Sequence, residues 1–464
     1  MIYDTDIQYD YVKEPFLPLP TEEPVVSDAV YGRRKENVLA LMREHGFDYV
    51  VFYADREHYS NFDYMVGFDP RFEEALLVLN SQGRAWLLLG NECYGMYHNS
   101  RIPAEGVLCQ ALSLPNQPRD QFVSMEESFR SVGIGKHHKI GVVGWKLIYP
   151  VYGTAYLFDA PAFIVDALRG ITGNAAVLNV TDWFIHPRYG LRTRNGADEI
   201  AAMEFGAAYA SASAQNVLLH FRPGMTEVEA SRLFQFGGLP TACSPKVLSG
   251  KRIDLGMVSP TTNEIRLGDR FQVSIGLRGG LTNRRGFVAY SEEDIAEDAR
   301  DYLETVAKPY YAAVCSWFEQ IGIGVTGGEL YDTIQALIPK EHYGWSLNPG
   351  HFIGTEEWLS SPIFEGSDIP FQSGMCVQMD IIPVAAHRYA SPNCEDGIAI
   401  ADEDLRKELK EKYPQVYARM EARRRFMIEQ LHIDLKPEVL PMSNLTGLYR
   451  PFMLNREKAF VVAK

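Results

Sequence analysis

The chain has 464 residues, 46% of them hydrophobic and 23% charged, with a formal net charge of −15 and a pI near 5.3. That length exceeds one compact core and predicts two or three domains. The acidic balance disfavours nucleic acid and anionic membrane surfaces as partners, and no apolar run reaches the ~18 residues expected of a membrane-spanning helix. The first residues, MIYDTDIQYDYVKEPFLPLPTEEP, hold no basic region followed by an apolar run, so no signal peptide is expected. Six scattered cysteines (Cys93, Cys109, Cys243, Cys315, Cys376, Cys394) form no CxxC pair and read as free thiols in a reducing cytoplasm.

In chain order, residues 1–30 are polar, proline-containing and aperiodic, and read as an arm that packs on a partner subunit. Arg33 to Glu44 fits an amphipathic helix. The apolar runs at 48–54, 75–80, 85–90 and 139–144 read as strands, and 161–171 reads as a helix. This alternation predicts a three-layer α/β domain over 31–187. From 188 the pattern changes to a second domain running to 464. Its tail carries two helices, 403–412 and 414–431, divided at Pro414, a favoured first helical residue. The basic face of ARRRFMIEQ reads as a solvated helix surface.

The second domain contains a faint internal repeat. A helical pattern from Ile200 to Leu218 is followed by a Pro223-Gly224 turn and by Thr226 with Glu229 at capping-box spacing. A second helix around Tyr311 to Gln320 is followed by Thr326 with Glu329, the same box 100 residues later. Each copy then reaches a strand opened by a turn glycine, Gly268 in LGDRFQVSIGL and Gly374 in QSGMCVQMDIIP, which makes Ser274 and Asp380 equivalent positions. The order predicts a pseudo-symmetric α+β domain with its site between the two halves.

One stretch departs from the rest in charge. Sixty acids are spread over 464 residues, yet Arg270 to Ser291 contains none and carries Arg270, Arg278, Arg284 and Arg285 instead.

RPGMTE, LGDRFQVSIG, NPGHFIGTEE, SGMCVQMDIIP and NCEDGIAI stand in the order found in the pita-bread hydrolases. Residues from about 33 to 402 resemble that family, which includes methionine aminopeptidase, prolidase, aminopeptidase P and creatinase. The resemblance implies an α+β pita-bread domain behind a creatinase/prolidase-type N-terminal α/β domain. The family's metallopeptidases use Asp, Asp, His, Glu and Glu as ligands in chain order. Carried onto this chain, the first Asp falls on Ser274 and the second within Asn283 to Arg285, where no candidate is an acid. The His falls on His351, the first Glu on Asp380 and the last Glu on Glu395. A further His that handles the peptide bond falls on Trp358. Creatinase works without metal and uses a His in the stretch before the GD turn; SGKRIDLGMVSPTTNEIRLGD contains no His.

A two-metal centre needs several carboxylates, some of them bridging, and only His351, Asp380 and Glu395 survive. The resemblance therefore implies a metal-free site with no cofactor, or a single divalent ion on those three residues. His351 is the proton-transfer group of the metal-free reading, with Asp380 or Glu395 orienting its ring and raising its pKa. Arg278, Arg284 and Arg285 could take a substrate carboxylate, beside Ser274, Asn283 and an aromatic pocket wall at Trp358; the arginines could equally face solvent on a hairpin. His220 ends a helix and reads as structural. His387 and Arg388 could reach the site from a loop. One of Glu356 and Glu357, which follow Gly354, could face the pocket in place of the lost aspartates.

The first functional reading is a creatinase-like hydrolase of a C–N bond in a small, carboxylate-bearing nitrogenous substrate, with a lyase as a variant. A metal-dependent Xaa-Pro aminopeptidase or dipeptidase is the second, and an inactive relative that binds a ligand or partner is the third. The resemblance also implies a homodimer, in which the N-terminal domain of one subunit closes over its partner's site.

Overall fold

A computed structural model describes all 464 residues and divides into two compact units, 26–193 and 1–25 with 194–464. The stretch 1–25 is not a free arm. Its strand β1 (Ile7–Tyr11) belongs to the larger unit, described below.

The smaller unit opens with helix α1 (Asp28–His45), which Gly46 stops in the left-handed conformation at φ 68°. Strand β2 (Tyr49–Ala54) and helix α2 (Ser60–Val66) follow, then β3 (Ala75–Asn80), β4 (Ala85–Leu89), β5 (Glu105–Leu108), α3 (Met125–Ser131) and β6 (Ile140–Val143). Helices α4 (Ile148–Tyr152) and α5 (Ala162–Thr172), strand β7 (Val177–Asn179) and helix α6 (Asp182–Ile185) complete it. The six strands form one mixed sheet in the order β5-β4-β3-β2-β6-β7. β2 and β3 are buried along their whole length, as their near-continuous apolar sequence requires of a sheet covered on both faces.

The larger unit contains the internal repeat. Helix α7 (Ala197–His220) leads to α8 (Glu227–Ser231), β8 (Thr241–Ser249), β9 (Arg270–Leu277) and β10 (Gly280–Phe287). The second copy runs through α9 (Lys308–Gln320), α10 (Gly327–Leu337), the short α11 (Lys340–Tyr343), β11 (His351–Phe352), β12 (Cys376–Met379) and β13 (Asn393–Ile400). Both expected capping boxes form: Thr226 accepts from Glu229 N–H and Thr326 from Glu329 N–H, each at 3.2 Å, while both glutamates reach back to the threonine N–H. Gly268 and Gly374 both adopt positive φ, at 84° and 88°, which favours glycine at each turn.

The tail adds α12 (Glu403–Lys412), α13 (Pro414–Glu429), β14 (Val439–Pro441) and β15 (Lys458–Val462). A seven-stranded sheet has the order β11-β12-β13-β10-β9-β8, with β14 also on β13. β15 instead pairs with β1, Ile7 opposite Val462 and Tyr11 opposite Lys458. Helices α7 and α13 are tied by Glu204, which is fully buried and meets both Arg419 and Arg423.

Candidate active site

Strand register decides which side chains meet. Lys246, Ser274, Asn283 and Glu395 are directly opposed across β8, β9, β10 and β13, and directly opposed residues of antiparallel strands share a face. The adjacent row on that face is Gln272, Arg285 and Asn393. β11 and β12 complete the face, with His351 opposite Gln378 and Asp380 just past β12.

Arg284, one residue off this alternation, lies on the opposite face. It is buried against Asp396, Nη2 to Oδ2 at 2.5 Å, and donates to the carbonyls of Leu445 at 2.6 Å and Leu448 at 3.0 Å. A substrate-binding part for Arg284 does not fit this placement. Arg285 is instead the arginine turned toward the acids. Arg278 occupies the tight turn between β9 and β10, where Gly279 (φ 96°) fits against α7: a Cβ there would stand 2.3 Å from Met203 Cα. Arg278 is four residues from Ser274, roughly 13 Å along the strand.

His351 is fully buried. Gly350 delivers it at φ 139°, and any Cβ at 350 would stand 2.7 Å from the Gln378 carbonyl. Nδ1–H donates to the Phe352 carbonyl at 3.0 Å, which leaves Nε2 facing the site. Nε2 lies 3.0 Å from Glu357 Oε1 and 4.0 Å from Asp380 Oδ2, with no well-aligned hydrogen bond to either. The Trp358 ring stacks on the imidazole at 4.2 Å and 22°, and Trp358 itself is 38% exposed. Burial works against the imidazolium, but Glu357, Asp380 and the Phe352 carbonyl together outweigh it and raise the His351 pKa.

The acids are unequal. Burial, reinforced by Asp380 and Glu357, pushes Glu395 well above the carboxylate range, although Gln378 Nε2 at 3.3 Å and Asn283 Nδ2 at 3.5 Å donate to it. Burial also lifts Asp380 to about 6, opposed by His351 and Arg285 and assisted by Glu357. Burial lowers the Arg285 pKa, against the pull of Glu395 and Asp380. Several buried polar atoms on this face have no partner, among them Gln272 Oε1, Ser274 Oγ, Arg285 Nε, Gln378 Oε1, Asp380 Oδ1 and both amide atoms of Asn393. Buried polar groups are almost always satisfied, so this cluster is shaped for a polar occupant.

The donor set tests the metal reading. One ligand atom each from His351, Asp380 and Glu395 lie within 4.8 Å of one another, which fits a single divalent ion. A metal pair does not fit: the positions opposite Glu395 and along the next row are Asn283, Ser274 and the cationic Arg285.

The structure thus brings together His351, Asp380, Glu395, Ser274, Asn283, Arg285 and Trp358, and leaves Arg284 outside. Glu357, one of the two glutamates that follow Gly354, is the acid nearest His351. Lys246 had no signal at all in the sequence.

The fold is the pita-bread fold. No protein-family profile matches the chain, and no curated protein matches it by sequence. Solved structures match it over most of its length. A Xaa-Pro dipeptidase from Bacillus anthracis is 18% identical with a TM-score of 0.59, covering 81% of this chain and 96% of that one. The prolidase from Thermococcus sibiricus is 17% identical with a TM-score of 0.62, covering 80% and 95%. A putative aminopeptidase P from Bacillus anthracis is 14% identical with a TM-score of 0.56, covering 87% and 99%. The shared architecture is the two-domain pita-bread fold.

Proposed function

We propose that this chain is a hydrolase of a C–N bond in a small nitrogenous molecule, and that it works without a metal pair. The observation that carries the reading is the 3.0 Å approach of Glu357 Oε1 to His351 Nε2, at a ring whose raised pKa favours the imidazolium. In this mechanism the Glu357 carboxylate takes a proton from water as its oxygen adds to the substrate carbon. His351 Nε2–H gives its proton to the nitrogen as the C–N bond breaks. Protonated Glu357 then returns its proton to Nε2, and the pair is restored. Arg285, beside Asp380 and Glu395, supplies positive charge for the oxygen that becomes anionic on addition. Asn283 and Gln378 hold Glu395, whose pKa is raised by burial and by the neighbouring Asp380 and Glu357.

The test is amine release from a panel of amides, ureas and dipeptides by full-length protein, with and without chelator. Chelator-resistant turnover lost in His351→Gln and Glu357→Gln is the expected result. Turnover that needs two equivalents of divalent ion overturns the reading. The neighbours named Xaa-Pro dipeptidase and prolidase support a second reading, dipeptide hydrolysis with one divalent ion, favoured by the three donors within 4.8 Å. That ion would polarise the scissile carbonyl.

A further inference from the structure

Lys246 is the cationic group on the site face that the mechanism leaves unused. It is only 4% exposed, and no carboxylate lies within ion-pair distance of its ammonium. Nζ donates to the Ser244 hydroxyl at 2.8 Å and the Ser244 carbonyl at 3.1 Å. An ammonium has three protons to donate, and besides Ser244 its polar neighbour is the Cys243 thiol, whose pKa burial raises and Lys246 lowers. A buried charge without a counter-ion is costly and calls for a partner.

The local backbone explains how the lysine comes to face the site. Cys243 is opposite Gly276 and Lys246 is opposite Ser274, so three residues of β8 span two of β9. That mismatch is a bulge at Ser244-Pro245. Without it, residues three apart would point to opposite faces; with it, Cys243 and Lys246 both join Ser274. Bulges of this kind re-aim side chains next to functional sites, and proline is tolerated there because a ladder hydrogen bond is already lost.

The neighbouring atoms point to the missing partner. Ser274 Oγ, directly across from Lys246, is fully buried and has no hydrogen-bond partner. Glu357, Asp380 and Glu395 gather around His351, and none of them is ion-paired with Lys246. Lys246 is thus the cation at the β8 end of the row, while Arg285 is the one beside Asp380 and Glu395. We infer that Lys246 is a specificity-determining residue that binds a carboxylate of the substrate, with Ser274 Oγ–H as the adjacent donor. The substrate class is then an anionic amide-type molecule, with its carboxylate on Lys246 and its C–N bond delivered toward His351. Delivery of the C–N bond toward His351 rests on the hydrolase reading; the carboxylate site stands by itself.

The experiment uses full-length protein and one matched pair, glycylglycine and glycylglycinamide, which differ in the terminal carboxylate. Calorimetric titration measures binding, and amine release measures turnover. Wild type is expected to bind glycylglycine about tenfold or more tightly than the amide, Lys246→Met to lose that preference, and Lys246→Arg to keep part of it. Removing a buried unpaired charge should not unfold Lys246→Met, and its circular dichroism melt checks this. The inference is overturned if wild type binds neither probe, shows no preference, or keeps the preference in Lys246→Met. If the preference depends on Lys246 but neither probe is hydrolysed, the carboxylate site stands and the hydrolase reading loses its support. If either probe is hydrolysed in a His351-dependent way without a carboxylate preference, the reverse holds.

Discussion

In the first half of the larger unit, Gly224 N–H donates to Ile265 O at 2.9 Å, Ile265 N–H returns to Met225 O at 2.8 Å, and Gly268 N–H donates to Val288 O at 2.8 Å. In the second half, Gly324 donates to Phe371 at 2.9 Å, Phe371 to Val325 at 2.8 Å, and Gly374 to Ile400 at 2.8 Å. The turns that frame the two copies thus repeat the same three backbone hydrogen bonds. The side chains that the two scaffolds present are not alike. The first half offers Ser274, Asn283 and Arg285; the second keeps His351, Asp380 and Glu395. Backbone hydrogen bonds at turns and caps tolerate any change that leaves a glycine or a threonine in place. The electrostatic character of the face between the halves can therefore be rewritten without disturbing its frame.

The largest test of this contrast removes chemistry from the second half. His351→Gln and Glu357→Gln should each lower turnover by about 10²-fold or more, the range that positioned proton-transfer groups contribute. Steady-state rates on the substrate found by the panel would decide it, and loss of less than threefold in both would remove the pair from the mechanism. Next comes the difference between the two adjacent arginines. Asp396→Ala leaves Arg284 buried without its charge partner and should cost about 3–5 kcal/mol in urea unfolding. Arg285→Gln should cost far less stability while reducing activity. Equal destabilisation would mean that the two faces do not differ as the register requires.

A third experiment makes the halves alike again. Ser274→Asp combined with Arg285→Asp restores acids to the first half and should create tight divalent-ion uptake, measured by elemental analysis. At an ion concentration 100 times Kd the melt should gain about 2.7 kcal/mol. No uptake would show that more than charge separates this face from a metal centre. The smallest effect compares the two caps. Thr226→Ala and Thr326→Ala should each cost about 1 kcal/mol, and a large disparity between them would break the equivalence of the halves.

Much of this was legible in the sequence because it depends on local chemistry. The capping boxes, the turn glycines at 268 and 374, strand 75–80 and helix 403–412 are all set by neighbours within a few residues. The gathering of His351, Asp380 and Glu395 was an expectation of the pita-bread resemblance, carried over from the family's ligand pattern. What stayed hidden depends on pairing. Arg284 and Arg285 are adjacent and chemically identical, and only the alternation of β10 against β13 separates them. Lys246 reaches the site face through a bulge, which breaks the period that a sequence pattern relies on. Glu357 returns to His351 through a loop with no periodicity, and β1 finds its partner strand almost the whole chain away.

That last pairing has a consequence for synthesis. Ile7 and the residues beside it leave the ribosome early, but the strand that receives them includes Val462. The two-stranded ribbon can therefore form only after the residues between its strands have been made, and its closure is costly in entropy unless the body between them has already folded. Until then Ile2 and Ile7, both buried in the finished protein, are sticky apolar surface on a nascent chain.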